Sequence, residues 1–160
     1  NCTSVFRKEI IDQYFNIEIA IQNNWKTLDL PLGLIVAKYS KIKYLSETTA
    51  TYRILNDSIS NTFNPQKKIK FHFSVFNIYQ HYLLAYNCDE TIVKKVNIFF
   101  YKSFLFDSIF TVNKDLAQLS YYNLKKLKGK LSLSEKLMYN IVRYKIINIL
   151  ILNAYKLIKH

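Results

Sequence analysis

The chain has 160 residues, a formal net charge of +12, only two glycines and only two prolines. Half of the side chains are apolar and 16% are aromatic, a composition that excludes extensive disorder and favours long helices with few tight turns. The clearest apolar run, Ile149–Leu152, is far shorter than the roughly 20 residues of a membrane span. Any contact with a membrane is therefore expected at its surface.

The positive charge is concentrated in the second part of the chain. Residues 1–63 contain seven Lys and Arg against six Asp and Glu, a net of +1, whereas residues 64–160 contain sixteen against five, a net of +11. This contrast predicts two regions, 1–63 and 64–160, of which the second has an anionic partner. An AT-rich coding sequence is the alternative explanation for the many Lys, Asn, Ile and Tyr residues.

Two helices and three short strands are predicted in the first region. Apolar side chains recur at helical spacing over Glu9–Ile21. Asp29, followed by Leu30 and Pro31, is typical of the N-cap of a helix, which should end near Tyr39. Alternating or β-branched residues predict strands over Cys2–Phe6, Lys41–Leu45 and Thr48–Ile54.

The second region is predicted to be helical throughout. Gly129 ends one helix, and Ser132 with Glu135 forms a capping-box pattern that starts the last one. The predicted fold is therefore α+β and mostly α, with a few short strands followed by a bundle of about four helices. These helices are expected over Lys67–Tyr86, Thr91–Ile109, Lys114–Lys128 and Ser132–Lys159.

A series of short motifs in the first region resembles the acceptor-side half of a family 2 glycosyltransferase catalytic domain of the GT-A type. The motifs occur in the order and spacing of that family and cover about residues 2–60. They are Thr3-Ser4-Val5-Phe6-Arg7, Trp25, Asp29-Leu30-Pro31-Leu32, residues 41–47, and Tyr52-Arg53 with Ser58. The likeness is greatest to bacterial enzymes that build surface polysaccharides, and it implies that the chain is the C-terminal fragment of such an enzyme.

The resemblance implies a catalytic role for Asp29. An inverting transferase needs a carboxylate that removes the proton of the acceptor hydroxyl. The alternative is that Asp29 only caps its helix, and one carboxylate can do both.

The resemblance also implies four substrate-binding residues. Trp25 would stack on a sugar ring, and its alternative is an ordinary place in the core. Arg53 would neutralise the leaving diphosphate, and its alternative is an ion pair with Glu47 or Asp57. Tyr52 and Ser58 complete the set.

No metal site or cofactor is expected in this chain. The family's divalent metal, Mg²⁺ or Mn²⁺, and its nucleotide-binding sheet belong to a part that these residues do not match, so the isolated chain is expected to be inactive. The full protein would use a nucleotide-sugar donor and a glycan or lipid-linked acceptor. Its expected location is cytoplasmic, with a peripheral place at the inner face of a bacterial membrane. Lys125–Lys130 would there meet lipid phosphates, and the alternative is a solvated helix end that complements the helix dipole.

Two other classes of protein remain open. The charge and the aromatic content also suit a basic RNA-binding or ribosomal protein, although nucleic acid is not favoured because the aromatic residues fall on apolar helix faces. A secreted, cytokine-like helical protein is the third possibility, supported by Cys2, Cys88 and the glycosylation sequons at Asn1 and Asn56. A disulfide between Cys2 and Cys88 would favour it.

Overall fold

The computed structural model describes residues 4–43 and 64–144, and within these ranges the chain forms seven helices and no strand. The prediction of an α+β fold is therefore wrong. Residues 4–6 and 41–43, which belong to two predicted strands, are not strands, because no neighbouring segment in the described part pairs with them. The third predicted strand, Thr48–Ile54, lies outside the described residues.

The helices follow local sequence signals closely. Pro65 stands at the first position of the fourth helix, Asp89 caps the fifth, and Gly129 ends the sixth with a φ of 73°. The helices are α1 Lys8–Tyr14, α2 Ile17–Gln22, α3 Asp29–Tyr39, α4 Pro65–Ala85, α5 Glu90–Thr111, α6 Lys114–Lys128 and α7 Leu133–Arg143.

Two predicted helices are shorter than expected. The helix predicted over Glu9–Ile21 is divided, because the side chain of Asn16 accepts a hydrogen bond from the Glu18 backbone N–H at 2.8 Å and starts α2. The last helix ends at Arg143, where Tyr144 is extended. Residues 145–160 lie outside the described part of the chain.

The contacts divide the molecule into two compact units. The first contains α1, α2, α3 and residues 70–87, which are most of α4. The second contains residues 64–69 and, within the described part of the chain, residues 88–144. Since most of α4 packs with the first unit, the units differ from the regions drawn from charge, and the functional boundary at residue 63 stays a prediction.

The second unit is built from α5, α6 and α7, each of which contacts the other two. One cluster of buried apolar side chains in its core draws on all three helices: Leu105, Ile109, Ala117, Leu124 and Val142. The capping box predicted at the start of α7 is confirmed, because Ser132 and Glu135 exchange both hydrogen bonds.

A buried carboxylate joins the three helices of this unit. Glu135 of α7 is 4% exposed. Its oxygens accept hydrogen bonds from Lys128 Nζ of α6 at 2.7 and 2.8 Å, and Lys102 Nζ of α5 lies 3.5 Å away. Burial alone would raise the pKa of Glu135, but hydrogen bonds from Lys128 and Ser132 outweigh it and lower the pKa to about 2.

Candidate functional site

The position of Trp25 is set by the end of α2. Asn24 adopts a left-handed conformation with a φ of 52°. Its N–H donates to the carbonyl oxygen of Ile21, and the Trp25 N–H donates to that of Ala20, both at 3.0 Å. This is the Schellman arrangement, which ends a helix and turns the next residue in a fixed direction. The helix end predicted at Ile21 is therefore met within one residue, since α2 ends at Gln22.

The turn places Trp25 against α4. Its ring meets His81 edge to face at a centroid distance of 5.4 Å and lies 6.0 Å from Tyr82. The next residue extends the contact, since the Lys26 N–H donates to the hydroxyl of the buried Ser74 at 2.8 Å. Trp25 is half-buried, and both its sugar-binding role and its alternative as a core residue stay predictions.

Aromatic rings continue from Trp25 across the first unit. Tyr14 of α1 and Tyr39 of α3 are stacked 3.7 Å apart, and Lys38 lies 5.5 Å from the centre of the Tyr86 ring. Burial raises the pKa of Tyr82 above its ordinary value of 10.0. This aromatic cluster, which ties the short helices to α4, consists of Tyr14, Trp25, Tyr39, His81, Tyr82 and Tyr86.

Asp29 is the first residue of α3, and its N-cap is Leu28. The expectation that Asp29 is the N-cap is therefore wrong by one residue, which agrees with the freedom of helix ends to shift by a residue or two. The predicted extent of the helix, to Tyr39, is confirmed. Asp29 is solvent-exposed, whereas Pro31 and Ile35 of the same helix are buried.

An open groove of about 380 Å³ lies beside the start of α3. This volume falls near the lower end of the range for small-molecule sites, roughly 300–1,000 Å³. The groove is mostly apolar, with Thr27 and Asp29 as its polar lining residues. The full lining is Thr27, Asp29, Leu30, Gly33, Leu34, Phe71 and Val75.

The structure thus brings one predicted site residue, Asp29, to the groove. Trp25 is not among the lining residues. Tyr52, Arg53 and Ser58 lie outside the described residues, and their roles stay predictions.

Sequence reasoning missed the groove residues Gly33, Phe71 and Val75. Phe71 and Val75 are one turn apart on α4. This spacing places them on a common face of the helix but does not show which segment packs against that face. Gly33 carried a clearer signal, since a glycine inside a predicted helix reduces helix stability and often has a packing or functional reason.

Replacing Gly33 by Ala is expected to raise the free energy of unfolding by about 0.8–1 kcal/mol, the difference in helix propensity. An added methyl group would meet no atom within 4 Å apart from the adjoining residues and backbone of its own helix. Urea unfolding followed by circular dichroism measures the change. Gly129→Ala is the matched control and should be destabilising, since its φ of 73° strains any side chain. A destabilised Gly33→Ala variant would contradict the open space beside Gly33.

Two further findings concern only the described part of the chain. No group of three or more His, Cys, Asp or Glu side chains in residues 4–43 and 64–144 is placed to hold a metal ion. Within the same ranges, each helix is too short or too polar to cross a membrane.

Comparison of the chain with protein-family models, with curated proteins and with solved structures finds no match.

Proposed function

We propose that residues 1–63 are the acceptor-side part of a sugar transferase, in which Asp29 is the general base. The observation that carries the proposal is the place of Asp29 at the rim of an open, mostly apolar groove. A base must be reachable by the acceptor hydroxyl, and the exposed Asp29 meets that condition. The order of short motifs around Asp29 supports the same assignment.

The groove supports a saccharide as the acceptor. Sugar rings have apolar C–H faces and polar edges. Phe71, Val75 and the aliphatic side chains of α3 offer apolar surface to such a face, while Thr27 and Asp29 offer polar atoms to a hydroxyl edge. The proposed transfer forms a bond from the acceptor oxygen to the anomeric carbon, breaks the bond to the nucleoside diphosphate, and delivers the acceptor proton to Asp29.

The donor site is proposed to lie in residues that this chain does not contain. Tyr52, Arg53 and Ser58 keep their proposed contacts with the substrates. A disulfide between Cys88 and Cys2 would favour the secreted, cytokine-like alternative, and Cys2 lies outside the described residues.

Because the donor site is proposed to lie outside this chain, we expect the 160-residue chain alone to bind no nucleotide sugar. Calorimetric titration with UDP-glucose, UDP-N-acetylglucosamine and GDP-mannose, each with Mn²⁺, should show no saturable binding. Joined to the nucleotide-binding segment that the proposal requires, the same residues should transfer labelled sugar to a glycan acceptor. Tight, metal-dependent nucleotide binding by the chain alone would contradict this location of the donor site.

A further inference from the structure

The outward face of α7 carries large apolar side chains. Leu133 and Leu137 are one turn apart, which puts them on the same face, and they are 74% and 53% exposed. Tyr144, directly after the helix, is 56% exposed. Glu135 and Val142 are the buried residues of the helix, on its other side. The packing of the second unit therefore leaves these apolar groups in contact with water.

Cations border this apolar face. Lys136 and Arg143 are both exposed, and their spacing of seven residues places them on one edge of the helix. The Arg143 guanidinium carbon lies 5.9 Å from the centre of the Tyr144 ring. We define the α7 surface as Leu133, Lys136, Leu137, Arg143 and Tyr144.

The acidic charge of α7 and of the chain just before it is buried. Residues 116–144 contain six Lys and Arg and a single acidic residue, Glu135. Because Glu135 is buried and paired with Lys128, it cannot repel an anionic partner. The other five cations are exposed: Lys125 and Lys126 in the last turn of α6, Lys130 in the turn before α7, and Lys136 and Arg143 on α7.

We propose that the α7 surface, with the cations just before it, docks on an anionic lipid surface. The cations attract acidic headgroups, each contributing about 1 kcal/mol near the surface. The two leucines enter the boundary between headgroups and acyl chains, and the Tyr144 ring suits the same depth. The surface belongs to the second unit, and its docking does not rest on the role proposed for Asp29.

The exposed leucines distinguish a lipid surface from a nucleic acid. Single-stranded RNA is bound by cations together with aromatic rings on which bases stack, and an aliphatic side chain offers no such ring. An acidic protein partner would use the cations, but it would not require a lipid phase. A lipid surface uses both features at once, because its headgroups attract the cations and its acyl chains receive Leu133 and Leu137.

Sedimentation with vesicles tests the proposal on the whole chain. Vesicles of phosphatidylcholine with about one third phosphatidylserine should bind the protein, and vesicles of phosphatidylcholine alone should bind it much less. The double variant Leu133→Ser/Leu137→Ser should reduce the binding at least about tenfold, and Lys136→Glu/Arg143→Glu should do the same.

The chain offers matched controls for both variants. Leu84 and Ile92 are 80% and 49% exposed and lie on α4 and α5, so Leu84→Ser/Ile92→Ser removes a similar apolar surface elsewhere. Lys94→Glu/Lys95→Glu makes the same charge change at exposed positions of α5. Both controls should bind like the parent chain, and all variants should keep its circular dichroism spectrum.

Three results would overturn the proposal. The first is that the parent chain fails to bind the anionic vesicles at low salt. The second is that the leucine variant binds them as well as the parent does. In the third, the leucine variant loses its affinity for polyuridylate RNA to the same degree as its affinity for vesicles, which would make the surface a nucleic-acid site.

Discussion

Replacing Glu135 by Gln is expected to lower the free energy of unfolding of the second unit by about 3 kcal/mol. The substitution removes the charge that Lys128 and Lys102 face and leaves two ammonium groups beside a neutral side chain. The lowering of the Glu135 pKa from 4.5 to about 2 sets the magnitude, at about 1.4 kcal/mol per pKa unit. Losses of roughly 3–5 kcal/mol are usual when one partner of a buried ion pair is removed.

Hydrogen exchange with mass spectrometry measures the effect element by element. Amides of α6 and α7 should exchange faster in Glu135→Gln, while α3, which lies in the other unit, serves as the internal reference. Glu90→Gln is the matched control. Glu90 is exposed in the first turn of α5, so its loss should change stability by no more than about 0.5 kcal/mol.

The pH dependence of stability provides a second, independent test of Glu135→Gln. Since folding lowers the pKa of Glu135, its carboxylate stabilises the protein fully above pH 4.5, and the contribution is lost as the pH falls toward 2. Over this pH range the free energy of unfolding measured at α6 and α7 should fall by about 3 kcal/mol more in the parent chain than in Glu135→Gln. Equal pH profiles for the two proteins would show that the lysines do not stabilise the buried carboxylate.

Local signals in the sequence predicted much of the helical structure. Pro31 near a helix start, Gly129 at a helix end and the Ser132–Glu135 pair each act within a few residues, so their effect can be predicted without knowing the rest of the fold. The sequence did not predict that the first helix is divided at Asn16, because the apolar spacing continues through that residue.

Long-range contacts were beyond the sequence. A strand needs a pairing partner, and the alternation at Lys41–Lys43 shows only that these residues suit one. The ion pair of Lys102 with Glu135 joins residues far apart in the chain. The groove likewise required α4 to meet the start of α3, which the spacing of Phe71 and Val75 does not specify. The sequence indicated Asp29 because its motif is local. It did not indicate the groove, because the groove depends on a contact between distant segments.

Replacing Asp29 by Asn is expected to reduce sugar transfer by about 1,000-fold, within the roughly 10²–10⁴-fold that general-base catalysis contributes. The amide keeps the size of the carboxylate but accepts no proton from the acceptor hydroxyl. Folding should change little, because an exposed charge in the first turn of a helix contributes only about 0.3–1 kcal/mol. Donor binding should be retained, since the donor site is proposed to lie elsewhere.

Asp12→Asn is the matched control for this substitution. Asp12 is an exposed aspartate of the same unit, pairs with Lys8 on α1 and does not line the groove. It therefore reports the cost of removing a surface carboxylate without touching the proposed base.

The transfer rates of these two variants, measured with saturating donor in a polypeptide that joins this chain to the nucleotide-binding segment, test the proposed base most directly. We expect Asp12→Asn to match the parent and Asp29→Asn to lose about three orders of magnitude with unchanged donor affinity. Transfer by Asp29→Asn within about tenfold of the parent would contradict the assignment of Asp29 as the base.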